Sequence, residues 1–182
     1  MSTLRFNTWQ NTGGTEVANS TLGTGKILQV VSTIKTDTFS ATLAGGGADS
    51  ATITGLSASI TPSSTSSKIL VLAALNIVAS ANNATVVLQR DSTSIAIGDS
   101  AGSRQRVTTG YGAFSTGYDH SSVAINYLDS PSTTSAVEYT FLLKNALSGA
   151  ASIVYVNRTQ TDADVATVPR MVSSITVMEV SA

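Results

Sequence analysis

The sequence predicts an all-β protein, an antiparallel β-sandwich of the jelly-roll type with about eight strands and an extended N-terminal arm. Apolar and polar residues alternate over 137–144, where Val137, Tyr139 and Phe141 share one face of a strand. Runs rich in Val, Ile, Thr and Tyr alternate with turns rich in Gly, Pro and Ser. No long window has a period of 3.6 residues, so we expect little or no helix.

Eight segments have the composition of strands, and each is bounded by residues that favour turns. Gly45, Gly46 and Gly47 can adopt positive φ, and Pro62 and Pro131 cannot donate to a central ladder. Many short strands with such turns favour two packed sheets over a helical fold. The predicted strands are 26–35, 51–60, 68–80, 85–90, 122–128, 137–144, 152–157 and 172–180.

The composition excludes several classes of protein. Charged residues make up 12% of the 182 residues, the net charge is -1, and no block of like charge occurs. A nucleic-acid partner is therefore not expected, because binding phosphates needs a clustered basic surface. Hydrophobic residues make up 42%, and the chain has 27 Ser and 26 Thr. High hydrophobicity with low charge argues against disorder.

The chain has no cysteine, so neither a disulfide nor a thiolate site is expected. The longest apolar run, Ile69 to Leu75, ends at Asn76 and is far shorter than the roughly 20 residues that span a bilayer. The first residues lack the apolar core of a signal peptide. We therefore expect no membrane insertion and no export by that route.

Residues 1–24 are predicted as an arm that precedes the sandwich domain, residues 25–182. The segment is polar and rich in Gly, Asn and Thr, and it carries the apolar side chains of Leu4, Phe6 and Trp9. Their near-alternating spacing would let the arm lie as a short strand on another surface. A flexible leader is the alternative.

The segment 68–80 departs from strand alternation, because apolar residues would lie on both of its faces. In a sandwich, one face of a strand packs against the opposite sheet, and the other needs a second cover. We expect a neighbouring subunit to provide it, which makes Leu70, Leu72, Ala74 and Asn76 candidate interface residues. A loop of the same chain is the alternative cover.

No catalytic residue is predicted. Asp119, His120 and Ser121 are the residue types of an acyl-transfer triad, but adjacent strand residues point to opposite faces and cannot converge. His120 is the only histidine, and a solvent-exposed loop imidazole is the simpler interpretation. No pair of carboxylates is marked out for glycoside hydrolysis, so a glycan depolymerase is the least favoured function.

No metal or cofactor is predicted either. Asp162 and Asp164 alternate on an extended segment and could point towards one cation, but Ca²⁺ needs six or more oxygen ligands. The favoured alternative is a solvated loop whose carboxylates pair with Arg158 or Arg170.

Residues 109–120 are predicted as a long loop that displays aromatic rings. Tyr111, Phe114 and Tyr118 lie among glycines, and Asp119 and His120 follow them. Exposed rings beside a carboxylate can hold a sugar by stacking and directed hydrogen bonds, so host-surface glycan is a candidate partner. The alternative is that the rings pack down over the end of the sandwich.

Several short strand and turn motifs resemble a family of virion structural proteins of tailed bacteriophages, of the tail-fibre or minor virion protein type found in marine and cyanobacterial phages. The resemblance covers nearly the whole chain, and its motifs are structural rather than catalytic. The similar segments are 2–7, 10–14, 25–31, 53–56, 60–64, 67–71, 88–92, 97–99, 127–131 and 155–159.

The resemblance implies a homotrimeric β-sandwich on the virion surface, assembled with other virion proteins. It also implies that the arm attaches the domain to the particle, with Leu4, Phe6 and Trp9 as anchors. The leading hypothesis is a non-enzymatic fibre or tip module for host attachment. The alternative is a capsid decoration protein, because a single domain after a short leader departs from the long shafts common in fibres.

Overall fold

A computed structural model describes residues 25–45, 50–80, 83–111, 117–146 and 150–182. In these ranges the chain forms twelve β-strands and no helix, and every strand pairing is antiparallel. The predicted arm, residues 1–24 with Leu4, Phe6 and Trp9, lies outside the described residues.

The strands form two six-stranded sheets. The first sheet contains β1 (Ile27–Lys35), β2 (Phe39–Leu43), β5 (Lys68–Ala79), β9 (Ser121–Asp129), β11 (Ser152–Val156) and β12 (Ser173–Val180). The second sheet contains β3 (Ser50–Thr52), β4 (Ala58–Ile60), β6 (Ala84–Arg90), β7 (Thr93–Ile95), β8 (Thr109–Tyr111) and β10 (Val137–Asn145).

The strand order is that of a jelly roll. Across the first sheet the main strands follow the order β1, β12, β5, β9. Across the second, β3 and β4 both pair with β10, β10 pairs with β6, and β6 pairs with both β7 and β8. If β3 and β4 count as one strand, β7 and β8 count as one strand, and the short strands β2 and β11 are set aside, eight strands remain. Numbered along the chain, they are ordered 1-8-3-6 in the first sheet and 2-7-4-5 in the second. The predicted all-β sandwich is confirmed.

The structure has more strands than the sequence analysis predicted. The predicted strand 51–60 is divided into β3 and β4 by a turn at Gly55, whose φ is 77° and which therefore favours glycine. Ile53 and Leu56 in this turn are fully buried, so their apolar character indicates core packing rather than strand periodicity. The short strands β2, β7 and β8 were not predicted, because three to five residues give too little alternation to detect.

The core lies between the two sheets and is built by alternation. Tyr139, Phe141 and Leu143 on β10 are fully buried, and they share one core cluster with Leu75 and Ile77 on β5. Burying a large apolar side chain contributes about 1.5–3 kcal/mol, so these inward rows dominate the stability of the sandwich.

On one side of β5, two successive strands occupy the position of a single long strand, and a long loop separates them. β12 pairs with residues 68–74 of β5, and β11 pairs with residues 77–79 of β5 on the same side. β11 and β12 therefore lie end to end. Residues 157–172, which we call the excursion loop, leave the sheet between them and return to the same line.

Candidate functional site

Two surfaces of the sandwich are candidates for function. The loop end consists of residues 117–120 and the excursion loop. Ser121, the first residue of β9, pairs with Ile77, near the point where the excursion loop leaves the sheet. The outer face consists of the side chains of β1, β12, β5 and β9 that point away from the core.

Asn157 closes the base of the excursion loop. Asn157 is fully buried. Its backbone φ is 63°, in the left-handed region, which asparagine tolerates better than most residues do. Its Nδ2 donates to the carbonyl oxygens of Lys35 (2.8 Å) and Asp37 (2.9 Å), and its Oδ1 accepts from the Ser173 hydroxyl at 2.7 Å. The backbone N–H of Met171 donates to the Asn157 carbonyl. The two ends of the loop are thus held together.

An ion cluster stiffens the loop above this base. Asp162 forms salt bridges with Arg158 (3.3 Å) and with Arg170. The hydrogen bond from Arg170 and the charge of Arg158 hold the pKa of Asp162 below its ordinary value. The Arg158 guanidinium also lies 4.8 Å from the centre of the Tyr155 ring. The predicted pairing of this carboxylate with arginine is therefore confirmed.

The excursion loop contacts the segment that precedes β9. The backbone N–H of Thr161 donates to the Gly117 carbonyl at 2.7 Å. A Cβ at Gly117 would overlap the Thr161 hydroxyl, so a larger residue at this position would force the Thr161 side chain to move. The two segments therefore form one continuous surface.

The predicted receptor residues Tyr118, Asp119 and His120 lie on this surface. Tyr118 is 56% exposed, His120 is exposed and Asp119 is half-buried. Val165 and Val172 of the excursion loop are also exposed. The loop end thus presents a ring, an imidazole and apolar side chains together.

The structure corrects the placement of Tyr111. We expected its ring to be displayed, but Tyr111 ends β8, is buried, and accepts a hydrogen bond from the Ala79 backbone N–H at 2.8 Å. Burial raises the pKa of its hydroxyl. The ring therefore packs down over the sandwich, as the alternative interpretation had it. Phe114 lies outside the described residues.

The outer face carries the predicted interface residues on β5. Leu70 and Leu72 are half-buried and Ala74 is exposed. Asn76 differs, because its Nδ2 donates to the carbonyl of Val172 in the excursion loop. The same chain covers the outer face at Asn76, whereas the described residues leave Ala74 exposed and Leu70 and Leu72 partly exposed.

Two buried polar clusters tie the sandwich together. Asp129 on β9 accepts hydrogen bonds from Arg90 on β6 and from the Tyr139 hydroxyl on β10, both at 2.7 Å, and so connects the sheets. Burial and the hydrogen bond to Asp129 raise the pKa of Tyr139. Neither role is predicted from the sequence, since Asp129 is a turn residue by sequence and the inward position of Tyr139 predicts only core packing.

The second cluster surrounds Glu179, which is 1% exposed on β12. Its carboxylate accepts from Gln29 Nε2 (2.6 Å) and from the backbone N–H (2.7 Å) and hydroxyl (2.6 Å) of Ser63. Burial by itself would raise the pKa of Glu179, but hydrogen bonds from Ser63, Ser67 and Gln29 outweigh it and hold the pKa at about 2. This carboxylate anchors the 61–67 turn to the first sheet.

Within the described ranges, no buried side-chain nitrogen or oxygen lacks a hydrogen-bond partner. In that same part of the chain, no group of three or more His, Asp or Glu side chains is placed to hold a metal ion. Nor does the described chain contain a helix long and apolar enough to cross a membrane.

No protein-family model matches the chain. No curated protein matches it in sequence. Among solved structures, the chain is similar to one described as the structure of infectious bursal disease virus, Gx strain. That likeness has a TM-score of 0.40 and 14% sequence identity, and it covers 84% of this chain and 40% of the other.

Proposed function

We propose that the chain is a non-enzymatic virion structural protein of a tailed bacteriophage, displayed on the particle surface as a homotrimeric fibre or tip module. The observation that carries the proposal is a jelly roll whose outer face presents uncharged, partly apolar side chains on four strands, between Lys68 at one end and the excursion loop at the other. A face of this kind suits burial against further copies of the chain. The sequence resemblance to tailed-phage structural proteins supports the same assignment.

The loop end is the surface that would contact the host. Tyr118 offers an exposed ring face for stacking on a sugar, and Asp119 and His120 offer polar groups beside it. The excursion loop fixes this surface through Thr161 and Gly117, so little conformational entropy would be lost on binding.

Adsorption of phage particles tests the attachment role. Particles that carry Tyr118→Ala are expected to adsorb to host cells several-fold more slowly than wild type. Thr134→Ala is the control, because Thr134 is an exposed residue in the 130–136 turn at the opposite end of the first sheet. Normal adsorption of the Tyr118 variant would refute host contact through the loop end.

The position on the particle is a separate test. Antibodies against the chain, visualised by electron microscopy of intact virions, are expected to label the tail. Labelling of the head would refute the fibre assignment and favour a capsid decoration protein. Unlabelled particles would refute a virion role altogether.

A further inference from the structure

An apolar row crosses the outer face from one edge of the first sheet to the other. Val30 on β1 is opposite Met178 on β12, Met178 is opposite Leu70 on β5, and Leu70 is opposite Leu128 on β9. Val30 and Leu128 are 55% and 53% exposed. The four strands thus present a continuous apolar ridge, which the described residues leave exposed at both of its ends.

The rest of the outer face is uncharged between the ridge and the loop end. Two further rows of cross-strand neighbours lie between the ridge and the loop end. The row next to the ridge contains Ser32, Thr176, Leu72 and Asn126, and the third row contains Ile34, Ser174, Ala74 and Ala124. The small side chains of the third row leave a shallow depression beside Leu72. Across these three rows there is no charge to desolvate when identical faces approach; the nearest charge on this face is Lys68, one row beyond the ridge, whose Nζ donates to the Ser130 hydroxyl.

Within the described residues, no strand pairs with the free edges of this sheet. One edge is formed by β1 with β2 beyond it and the other by β9, and neither 27–34 of β1 nor 121–128 of β9 contains a charged residue. Proteins normally protect long edge strands with charge, proline or a covering segment. A face-to-face dimer would bury the outer face and leave these edges open, whereas a ring of copies brings β1 of one copy beside β9 of the next.

The dimensions of the face suit a ring of three. Four strands about 4.8 Å apart span roughly 19 Å, and the centre of an equilateral triangle with that side lies about 5.5 Å from each side. Packed sheets are about 10 Å apart, so side chains need about 5 Å on each side of the contact. Three such faces would therefore fill the space around a common axis without a channel.

Strand directions agree with this arrangement. β1 and β5 run in one direction, and β12 and β9 run in the other. A threefold axis parallel to the strands preserves these directions, so β1 would lie antiparallel to β9 of its neighbour. The same axis brings each row of one copy to the level of the same row in the others.

We infer that three copies associate with their outer faces towards a common threefold axis, so that the row Val30, Met178, Leu70 and Leu128 forms the inner apolar layer of the trimer. The inference rests on the homotrimer of the proposed function and specifies its interface. Eight residues per strand at about 3.3 Å give a footprint of roughly 500 Å² per copy. Three copies bury roughly 1,500 Å² in all, or about 500 Å² for each of the three pairwise contacts, which is less than a standard two-partner interface, so the contact of β1 with β9 of the next copy has to add to it.

Cysteine cross-linking tests the geometry directly, since the chain has no cysteine of its own. In the double variant Val30→Cys with Leu128→Cys, each β1 thiol would face a β9 thiol of the next copy. Complete oxidation is expected to give a covalent trimer on a non-reducing gel, and neither single variant should cross-link. A product that stops at the covalent dimer would overturn the threefold arrangement.

A charge substitution provides the second test. Leu128→Glu changes a side chain that is half exposed in one copy, so the fold should survive, but it places three carboxylates in the apolar layer. Light scattering is expected to show a threefold drop in mass, with an unchanged circular dichroism spectrum. Leu142→Glu, on the outward side of β10 in the second sheet, is the matched control and should remain trimeric.

The outcomes separate this inference from the proposed function. A wild-type trimer that survives Leu128→Glu and is not cross-linked by the cysteine pair would overturn the interface and leave the trimer standing. A wild-type monomer at micromolar concentration would overturn both.

Discussion

Replacement of Glu179 by glutamine would remove the buried carboxylate that anchors the 61–67 turn to β12. Glutamine has nearly the same shape, but it is neutral and one of its two terminal groups is a donor. In the wild type, the backbone N–H and the hydroxyl of Ser63 donate to one carboxylate oxygen, and Gln29 Nε2 donates to the other. Whichever oxygen the glutamine NH2 group replaces, it would therefore face a donor. The substitution therefore loses charge-assisted hydrogen bonds and leaves a buried donor without an acceptor.

The size of the effect follows from the pKa of Glu179, which is about 2 in the folded protein against an ordinary value of 4.5. At about 1.4 kcal/mol per pH unit, the carboxylate contributes about 3 kcal/mol to the free energy of unfolding. Because the folded-state pKa lies below the unfolded one, this contribution is complete above about pH 4.5. It is lost as the pH falls from there to about 2.

Urea unfolding monitored by circular dichroism, at fixed protein concentration and at several values between pH 7 and pH 2, measures this contribution. Wild type is expected to exceed Glu179→Gln by about 3 kcal/mol at pH 7, and the gap should narrow steadily below pH 4.5. Glu138→Gln, the same change at an exposed position of β10, should cost less than about 0.5 kcal/mol at pH 7. A gap for Glu179→Gln that stays constant down to pH 2 would refute this account.

Three further substitutions test the other contacts. Asp129→Asn should lower the free energy of unfolding by about 2–3 kcal/mol in urea titrations, because it breaks the link between the sheets. Tyr139→Phe should lower it by only about 1 kcal/mol. Equal losses for the two variants would contradict this ranking. Asn157→Ala should make the excursion loop sensitive to trypsin while the far-ultraviolet circular dichroism spectrum stays unchanged; undiminished resistance would show that other contacts close the loop. Gly117→Ala should displace the excursion loop and slow phage adsorption, whereas Gly98→Ala, with open space around its Cα, should have no effect; identical adsorption of the two variants would argue against a fixed loop end.

The sequence predicted those parts of the fold that depend on periodicity. The alternation over 137–144 identified β10, and the doubly apolar segment 68–80 identified the central strand with an open outer face. These predictions succeeded because burial on one or both faces of a long strand leaves a repeating pattern. The positions of short strands such as β7 depend on which neighbour they meet, and the local sequence does not encode that.

Predictions about the candidate site were less complete. Tyr118 and His120 are exposed as expected, but Tyr111 is buried because its hydroxyl binds the Ala79 backbone, a contact between positions 32 residues apart. In the sequence, Asn157 is a polar residue at the end of a predicted strand, 152–157, and nothing there indicates its role. Its role depends on Lys35, Asp37 and Ser173, which the fold brings together from distant parts of the sequence. A polar stretch between two strand-like segments was the one available signal for the excursion loop.

The closure of the excursion loop at Asn157 has a consequence for engineering. Both ends of the loop are fixed by contacts that do not involve its exposed apex, residues 163–167. Doubling the length of a flexible loop costs only about 0.6 kcal/mol of closure entropy. The apex is therefore a permissive insertion point, where a grafted peptide of another length could be carried by each copy without disturbing the strands beneath it.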